Sequence, residues 1–209
     1  MVLGGLTQAY IRKTYDKWSK VPSGLHNTGA DVARRMLNEN GASQCGIGRV
    51  EGHLTDHYDP RDNNLHLSSE NYTGGSVASV AVACHEAGHA VQTAKGYLPG
   101  KIRTALVPVV NFSQSTWMFV FLGGVFMGMV GLVQVAIFLF AFTVLFQLVT
   151  LPVEIDASRR AVRFLADSGS QIDQQGAKQV LTAAALTYVA GALVSVLNLL
   201  YLLGRTSRR

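Results

Sequence analysis

Charged residues and cysteines are both sparse in this chain of 209 residues. Asp, Glu, Lys and Arg make up 15% of it, against about a quarter in soluble domains, so the composition favours a membrane protein over a soluble helical bundle. Two cysteines, Cys45 and Cys84, are too few for a disulfide framework and indicate a reduced compartment. No basic cluster alternates with aromatic residues, so the net charge of +5 indicates an anionic membrane surface rather than a nucleic acid.

Long uncharged segments predict three membrane crossings. Residues 104–153 contain no Asp, Glu, Lys, Arg or His. Within them, residues 117–151 are too long for one hydrocarbon core of about 30 Å and suffice for two short crossings. The glycines within 128–131 favour a turn, which predicts helices near 114–131 and 133–151. Residues 179–204 form a third uncharged run with small residues suited to close helix packing, and predict one more crossing.

The string His85-Glu86-Ala87-Gly88-His89 lies in a run of small and apolar residues, 76–95, that predicts a buried helix ending before Gly96. Histidines four residues apart share one helical face and can bind one metal ion. Glu86 can then accept a proton from a water molecule on that metal. Gly88 either allows another backbone to approach closely or serves only tight helix packing. Chance is a poor explanation for so specific a string.

A catalytic zinc site needs a third protein ligand. The first acids after the uncharged run are Glu154 and Asp156. A helix would place them about 200° apart around its axis, so only one of them can face the metal. We predict Glu154 and keep Asp156 as the alternative. Either acid could instead charge the start of a helix after Pro152.

Three segments together resemble the neutral zinc metallopeptidases of bacterial membranes. They are LTDHYDP at 54–60, HEAGHA at 85–90 and LPVEIDAS at 151–158, and the resemblance runs in the family's order from about residue 13 to residue 203. It implies a membrane-bound zinc-dependent peptidase. The pattern is also similar to the wider gluzincin group, whose Glu-x-x-x-Asp segment binds zinc through its first acid, and this similarity favours Glu154. Ser158 stands where that group has Asp, which leaves open the residue that orients the metal ligands.

The N-terminus departs from this family, whose members generally open with an apolar segment that spans a bilayer. Residues 1–11 are uncharged but are about half of the roughly twenty needed to span. Arg12 and Lys13 follow the apolar part, which does not fit a signal peptide. We expect the remnant of a shortened first helix, which either rests at the interface or lacks its beginning, with a frayed soluble terminus as the alternative.

The segment before the metal motif predicts a small mixed α and β part. Residues 28–41 predict a capped helix that ends at Gly41. Residues 49–57 and 65–67 predict two strands around the turn-rich stretch 59–64. By the resemblance, a strand beside the zinc helix is expected to pair with an extended substrate backbone.

The sequence does not single out the residues that stabilise the oxyanion or orient the metal ligands. A hydrolytic transition state needs a donor for its oxyanion, and the metal ligands need groups that orient them. The candidates for these two roles are His57, Asp156, Ser158, Arg159, Arg160 and Arg163. His53, His57 and His66 are not expected to bind zinc, because their spacing lacks a helix-like pair.

Topology follows from the ligand positions. His85 and His89 precede the first crossing and Glu154 follows the second, so one shared zinc requires the hairpin to return the chain to its starting side. The distribution of Lys and Arg beside the spans predicts that the catalytic side is cytoplasmic. The basic residues on that side are Arg12, Lys13, Lys17, Lys20, Lys101, Arg103, Arg159, Arg160, Arg163 and Lys178, and those on the other side are Arg205, Arg208 and Arg209.

The sequence therefore predicts a mainly α membrane protein with a zincin-like α+β catalytic part, a small sheet and about three transmembrane helices. Its expected segments are an N-terminal and catalytic part at 1–112, a transmembrane hairpin at 113–152, a third-ligand helix and loop at 153–178, a transmembrane helix at 179–204 and a basic tail at 205–209.

The predicted function is that of a zinc metallopeptidase in the bacterial cell membrane. It would hydrolyse peptide bonds within polypeptide substrates with one zinc ion, held by His85, His89 and Glu154, and with Glu86 as general base. The expected partners are a polypeptide and the lipid bilayer, without nucleic acid. Two alternatives remain: a catalytically silent zinc-binding membrane scaffold or chaperone-like protein, which would not require Glu86, and an intramembrane protease, whose ligands would lie inside the spans.

Overall fold

A computed structural model of the protein describes residues 2–167 and 173–206. The loop expected within 153–178 and the end of the expected basic tail, with Arg208 and Arg209, lie outside these residues. The described elements are α1 (Val2–Trp18), α2 (Gly29–Glu39), β1 (Gly46–Val50), β2 (His57–Asp59), β3 (Asn64–Ser68), α3 (Ser69–Thr73), α4 (Val77–Ala94), α5 (Leu98–Phe126), α6 (Val130–Asp167) and α7 (Gln174–Thr206). This mainly helical chain with one small sheet confirms the predicted fold class.

Two compact units make up the fold. The first unit contains Met1–Tyr97 and Val153–Thr187, and the second unit contains Leu98–Pro152 and Tyr188–Arg209. The first unit holds the sheet, α1 to α4, the C-terminal part of α6 and the start of α7.

Local signals define the helices of the first unit. The Thr28 hydroxyl accepts a hydrogen bond from the backbone N–H of Asp31, whose carboxylate accepts one from the backbone N–H of Thr28, and this capping box starts α2. The Ser76 hydroxyl caps α4 in the same way by accepting from the backbone N–H of Ser79. After α4, Gly96 has φ +65°, a conformation that glycine adopts at little cost. The predicted capped helix and the predicted metal-motif helix are confirmed.

Beneath these helices lies a three-stranded sheet in the order β1-β3-β2. Strand β3 pairs in parallel with β1 and antiparallel with β2, and His57 lies opposite His66. Leu65 and Leu67 are fully buried in the core, so His66 between them points to the other face of the sheet. The predicted turn between two antiparallel strands at 59–64 is confirmed.

The single strand predicted over 49–57 is wrong. The chain leaves β1 after Val50 and re-enters the sheet at His57, with Leu54 at φ +55° in the intervening loop. A tertiary contact holds this loop, because the Asp56 carboxylate accepts hydrogen bonds from the backbone N–H of Ser68 at 2.7 Å and from the Asn71 amide at 2.8 Å. Such a long-range contact leaves no periodic signal in the sequence.

Three helices in the described part of the chain, α5, α6 and α7, are each long and apolar enough to cross a membrane, so the number of candidate spans is the expected one. The turn between α5 and α6 contains Gly128 at φ +66°, close to its predicted place. The predicted helix bounds were wrong: α5 begins earlier, at Leu98, and ends earlier, at Phe126, whereas α6 begins at Val130 and continues through Pro152 to Asp167. Counting uncharged residues measures only the lipid-crossing part of a helix, and proline is tolerated within such helices.

At the N-terminus, α1 is a regular helix. Its C-terminal turns bury Tyr15 and Trp18 in the core of the first unit, whereas Leu6 near its start is 63% exposed. The Trp18 indole N–H donates a hydrogen bond to the Gln179 side chain at 3.1 Å. A frayed terminus, the alternative interpretation of this segment, does not describe it.

Candidate metal centre

Two imidazoles and one carboxylate meet between α4 and the C-terminal part of α6. The Nε2 atoms of His85 and His89 lie 3.2 and 3.6 Å from Oε2 of Glu154. The potential ligand atoms of the three side chains all lie within 4.8 Å of one another, and no other group of three His, Cys, Asp or Glu residues in 2–167 and 173–206 has this geometry. His85 is 9% exposed and Glu154 is 2% exposed, so the cluster is screened from bulk water.

Helical spacing and one glycine bring these side chains together. His85 and His89 project from one face of α4, with ring centroids 4.8 Å apart and ring planes nearly perpendicular. A Cβ atom at Gly88 would lie only 2.8 Å from the backbone oxygen of Ala157. Glycine at this position thus allows the backbone of α6 to approach α4. The two interpretations of Gly88, close approach of another backbone and tight helix packing, therefore describe the same contact between α4 and α6.

Gln92 fixes the orientation and the tautomer of His89. Its side-chain N–H groups donate to the carbonyl of Val153 at 2.8 Å and to the carboxylate of Asp156 at 2.8 Å. The amide oxygen therefore faces Nδ1 of His89, 3.0 Å away, and accepts a hydrogen bond from it. Nε2 of His89 is left with its lone pair directed towards Glu154, as a metal ligand requires.

Sequence reasoning missed Gln92. The available signal was a polar side chain in an otherwise apolar helix, three residues after the second histidine and so on the same face. That signal is weak by itself, because the partners of Gln92 come from α6.

Ser158 contacts the other imidazole. Its hydroxyl lies 3.1 Å from Nδ1 of His85, on the side of the ring opposite Glu154. An uncharged hydroxyl therefore lies next to the first histidine.

Asp156 faces away from the ligand cluster. Its carboxylate accepts hydrogen bonds from Gln92 and from the guanidinium of Arg160 at 2.6 Å. Glu154 and Asp156 both lie well inside α6, so neither charges the start of a helix. Helical geometry allowed only one acid to face the histidines, and the structure places Glu154 there.

Burial also governs the charge of Glu86, which is 9% exposed. Burial raises the pKa of the Glu86 carboxyl, while the adjacent His85 and His89 act in the opposite direction. Burial lowers the pKa of the His89 imidazole, but the carboxylates of Glu154 and Glu86 and the amide of Gln92 together outweigh this effect and leave that pKa raised. A buried group of two carboxyls and two imidazoles is stabilised by a bound cation.

These donors fit zinc. Zinc in proteins binds imidazole nitrogen and carboxylate oxygen, and catalytic sites use three protein ligands with one position left for water or substrate. His85, His89 and Glu154 supply such a set, and each histidine has a further partner on its second ring nitrogen, as zinc-binding histidines do.

The other residues predicted to stabilise the oxyanion or to orient the metal ligands lie outside the ligand cluster. His57 is exposed on β2, where its Nδ1–H donates to the carbonyl of Thr55 and its ring stacks on His66 at 4.8 Å. Arg159 and Arg163 are exposed on α6. Arg160 pairs with Asp156. The structure brings none of these four side chains into the ligand cluster.

Histidines outside the motif have other partners. His53 lies 3.0 Å from the carboxylate of Glu70, and His66 lies 3.1 Å from the carboxylate of Asp62. Both pairs are partly exposed at the surface of the first unit.

Comparison with known proteins gives a match over nearly the whole chain. Residues 1–207 match the family described as "putative neutral zinc metallopeptidase". The chain is also 43% identical over 195 residues to the protein named "putative membrane protease YugP" from Bacillus subtilis (strain 168), an alignment that covers 92% of this chain and 87% of that protein. No solved structure gives a significant match.

Proposed function

The chain belongs to the family of neutral zinc metallopeptidases, and from this premise we propose that it is a membrane-embedded zinc endopeptidase of the HExxH…Glu type. The observation that carries the proposal is the convergence of His85, His89 and Glu154 in a buried cluster, with Glu86 on the same helix. The three apolar helices make the chain a membrane protein, in agreement with the name of its relative.

We assign one task to each side chain of the site. His85, His89 and Glu154 hold the metal. Zinc bound there would lower the pKa of a water molecule and polarise the scissile carbonyl. The Glu86 carboxylate accepts the proton of the attacking water and delivers it to the nitrogen of the leaving amine.

Gln92 and Ser158 orient the imidazoles in this proposal. Gln92 holds His89 through its amide oxygen, and Ser158 holds His85 through its hydroxyl. Groups of this kind raise metal affinity by fixing the ring direction before the metal binds.

The polypeptide substrate is proposed to bind along β2. This strand lies at the edge of the sheet in the order β1-β3-β2 and packs against α4, which carries the histidines. An edge strand offers backbone N–H and C=O groups to an extended peptide, so recognition through the main chain would select little by side chain.

Exchange of Glu86 for glutamine tests the proposal. We expect Glu86→Gln to keep its zinc and to lose hydrolysis of unfolded polypeptides by about 10²–10⁴-fold, the usual contribution of a general base. Glu51→Gln, at an exposed acid in the loop after β1, is the matched control and should keep both. Zinc content and cleavage would be measured on the purified full-length protein in detergent.

Two results would contradict the proposal. Loss of zinc in Glu86→Gln would give Glu86 a structural role rather than a catalytic one. Wild-type protein with one zinc per chain and no cleavage of a broad set of unfolded substrates would favour the zinc-binding scaffold.

We also propose that the catalytic side faces the cytoplasm. The flanking basic residues favour this orientation, because Lys and Arg accumulate on the cytoplasmic side of membrane helices. The basic residues of the first unit outnumber those after the last span.

A further inference from the structure

The second unit contains an apolar cavity of about 1090 Å³ at the end where α5 turns into α6. This volume slightly exceeds that of ordinary small-molecule pockets, which measure about 300–1,000 Å³. The turn and the C-terminal end of α7 both line it, so these two segments lie at the same end of the unit. Its apolar walls are formed by Phe121, Val125, Val130, Val133, Leu200 and Leu202.

One charged side chain lines this cavity. Among its described lining residues, Arg205 is the sole ionised group. Its guanidinium donates a hydrogen bond to the Tyr201 hydroxyl at 2.9 Å and lies over the Tyr201 ring, 5.7 Å from the centroid. These contacts hold the guanidinium in place, and they leave its positive charge uncompensated because tyrosine supplies no negative charge.

The second unit has no acidic side chain that could compensate this charge. Neither 98–152 nor 188–209 contains Asp or Glu in the sequence. In the described part of the chain, Arg205 makes no ion pair with any acid. Among the described residues, none therefore supplies a counter-ion for Arg205, and at the end of a membrane-spanning helix the nearest external anions are lipid phosphates.

Gly204 leaves the cavity open next to Arg205. A Cβ atom there would meet nothing within 4 Å, although the residue lines the cavity. A glycine with free space beside it lets a ligand approach the helix backbone closely.

We propose that this cavity binds one anionic phospholipid. The phosphate lies against the guanidinium of Arg205 and the hydroxyl of Tyr201, and the acyl chains fill the apolar space between the α5–α6 turn and α7. Net negative charge distinguishes this ligand from a zwitterionic phospholipid, whose own cationic group already neutralises its phosphate. The cavity belongs to the second unit, so the site is separate from the metal centre.

Native mass spectrometry of the full-length protein in detergent tests this site. The protein would be titrated with phosphatidylglycerol and with phosphatidylcholine of identical acyl chains. We expect one phosphatidylglycerol to bind at least about tenfold more tightly than phosphatidylcholine, the ratio that one charge-assisted hydrogen bond supports. Arg205→Gln should bring the two lipids to equal affinity. The soluble headgroup glycerol phosphate should not compete, because it cannot fill the apolar space.

Two glycine variants separate the cavity from general lipid binding. Gly204→Leu fills the free space and should weaken both lipids. Gly131→Leu adds the same side chain at a position that also has no neighbour within 4 Å but does not line the cavity, and it should bind both lipids as the wild type does. Equal affinity of the wild type for the two lipids, an unchanged preference in Arg205→Gln, or equal losses in the two glycine variants would each overturn the proposal.

Discussion

Substitution of Gly88 by alanine tests the geometry on which the proposed metal centre depends. The added Cβ would lie 2.8 Å from the backbone oxygen of Ala157 and 3.2 Å from its Cα, where an ordinary contact starts at 3.4 Å. The neighbour is backbone and cannot rotate away, so α6 has to move by about 0.6 Å, the difference between 3.4 and 2.8 Å. Glu154 lies one turn before Ala157 on α6 and moves with it.

This shift is large for a metal site and small for the fold. Ligand distances in metal sites hold within about 0.2 Å, so we expect Gly88→Ala to weaken zinc binding about 10–100-fold, as the loss of an orienting partner does. Overpacking costs about 1–3 kcal/mol, and the exchange of glycine for alanine inside a helix returns about 1 kcal/mol of helix propensity. The variant should therefore stay folded, with a loss of at most about 2 kcal/mol of unfolding free energy.

Chelator competition measures the zinc dissociation constant, and thermal unfolding followed by circular dichroism measures stability. Gly123→Ala is the matched control, because it makes the same exchange inside α5 at a position with no neighbour within 4 Å. It should bind zinc as the wild type does. Zinc affinity of Gly88→Ala within twofold of the wild type would refute the reasoning that close approach of α4 and α6 sets the ligand geometry.

Three further predictions concern the ligands and the topology. Glu154→Ala should lower zinc affinity sharply, whereas Asp156→Ala should keep zinc with at most a 10–100-fold loss of affinity. Zinc content is measured on the two folded variants, and the reverse order would exchange the assignments of the two acids. Gln92→Ala should weaken zinc binding about 10–100-fold with helix content unchanged, and retention of wild-type affinity by chelator competition would remove Gln92 from the site. An epitope tag after His53 should be accessible from the cytoplasmic face and a tag after Arg209 from the opposite face, as measured by protease protection in sealed vesicles. Protection of both tags from the same side would contradict the proposed crossings.

Much of the fold was predictable because its signals are local. The hydroxyl of Ser76 and the glycine at 96 mark the two ends of α4 within its own sequence. The number of apolar spans was predictable because residues 104–153 and 179–204 contain no charged residue. Gly128 marks the turn between the first two spans. The ends of these helices were less predictable, because helical structure continues beyond the lipid-crossing residues through Pro152 to the acids that follow.

The sequence by itself determined that one helix carries two histidines four residues apart, with a glutamate next to the first, and that only one of the two later acids can face them. Tertiary structure decided that this acid is Glu154, because the close packing of α4 on Ala157 fixes which side of α6 faces the histidines. Tertiary structure also decided the role of Gln92, whose hydrogen-bond partners Val153 and Asp156 lie about sixty positions further along the chain. Helix periodicity fixes directions around one axis, whereas contacts between two helices depend on how their surfaces pack, which no local pattern records.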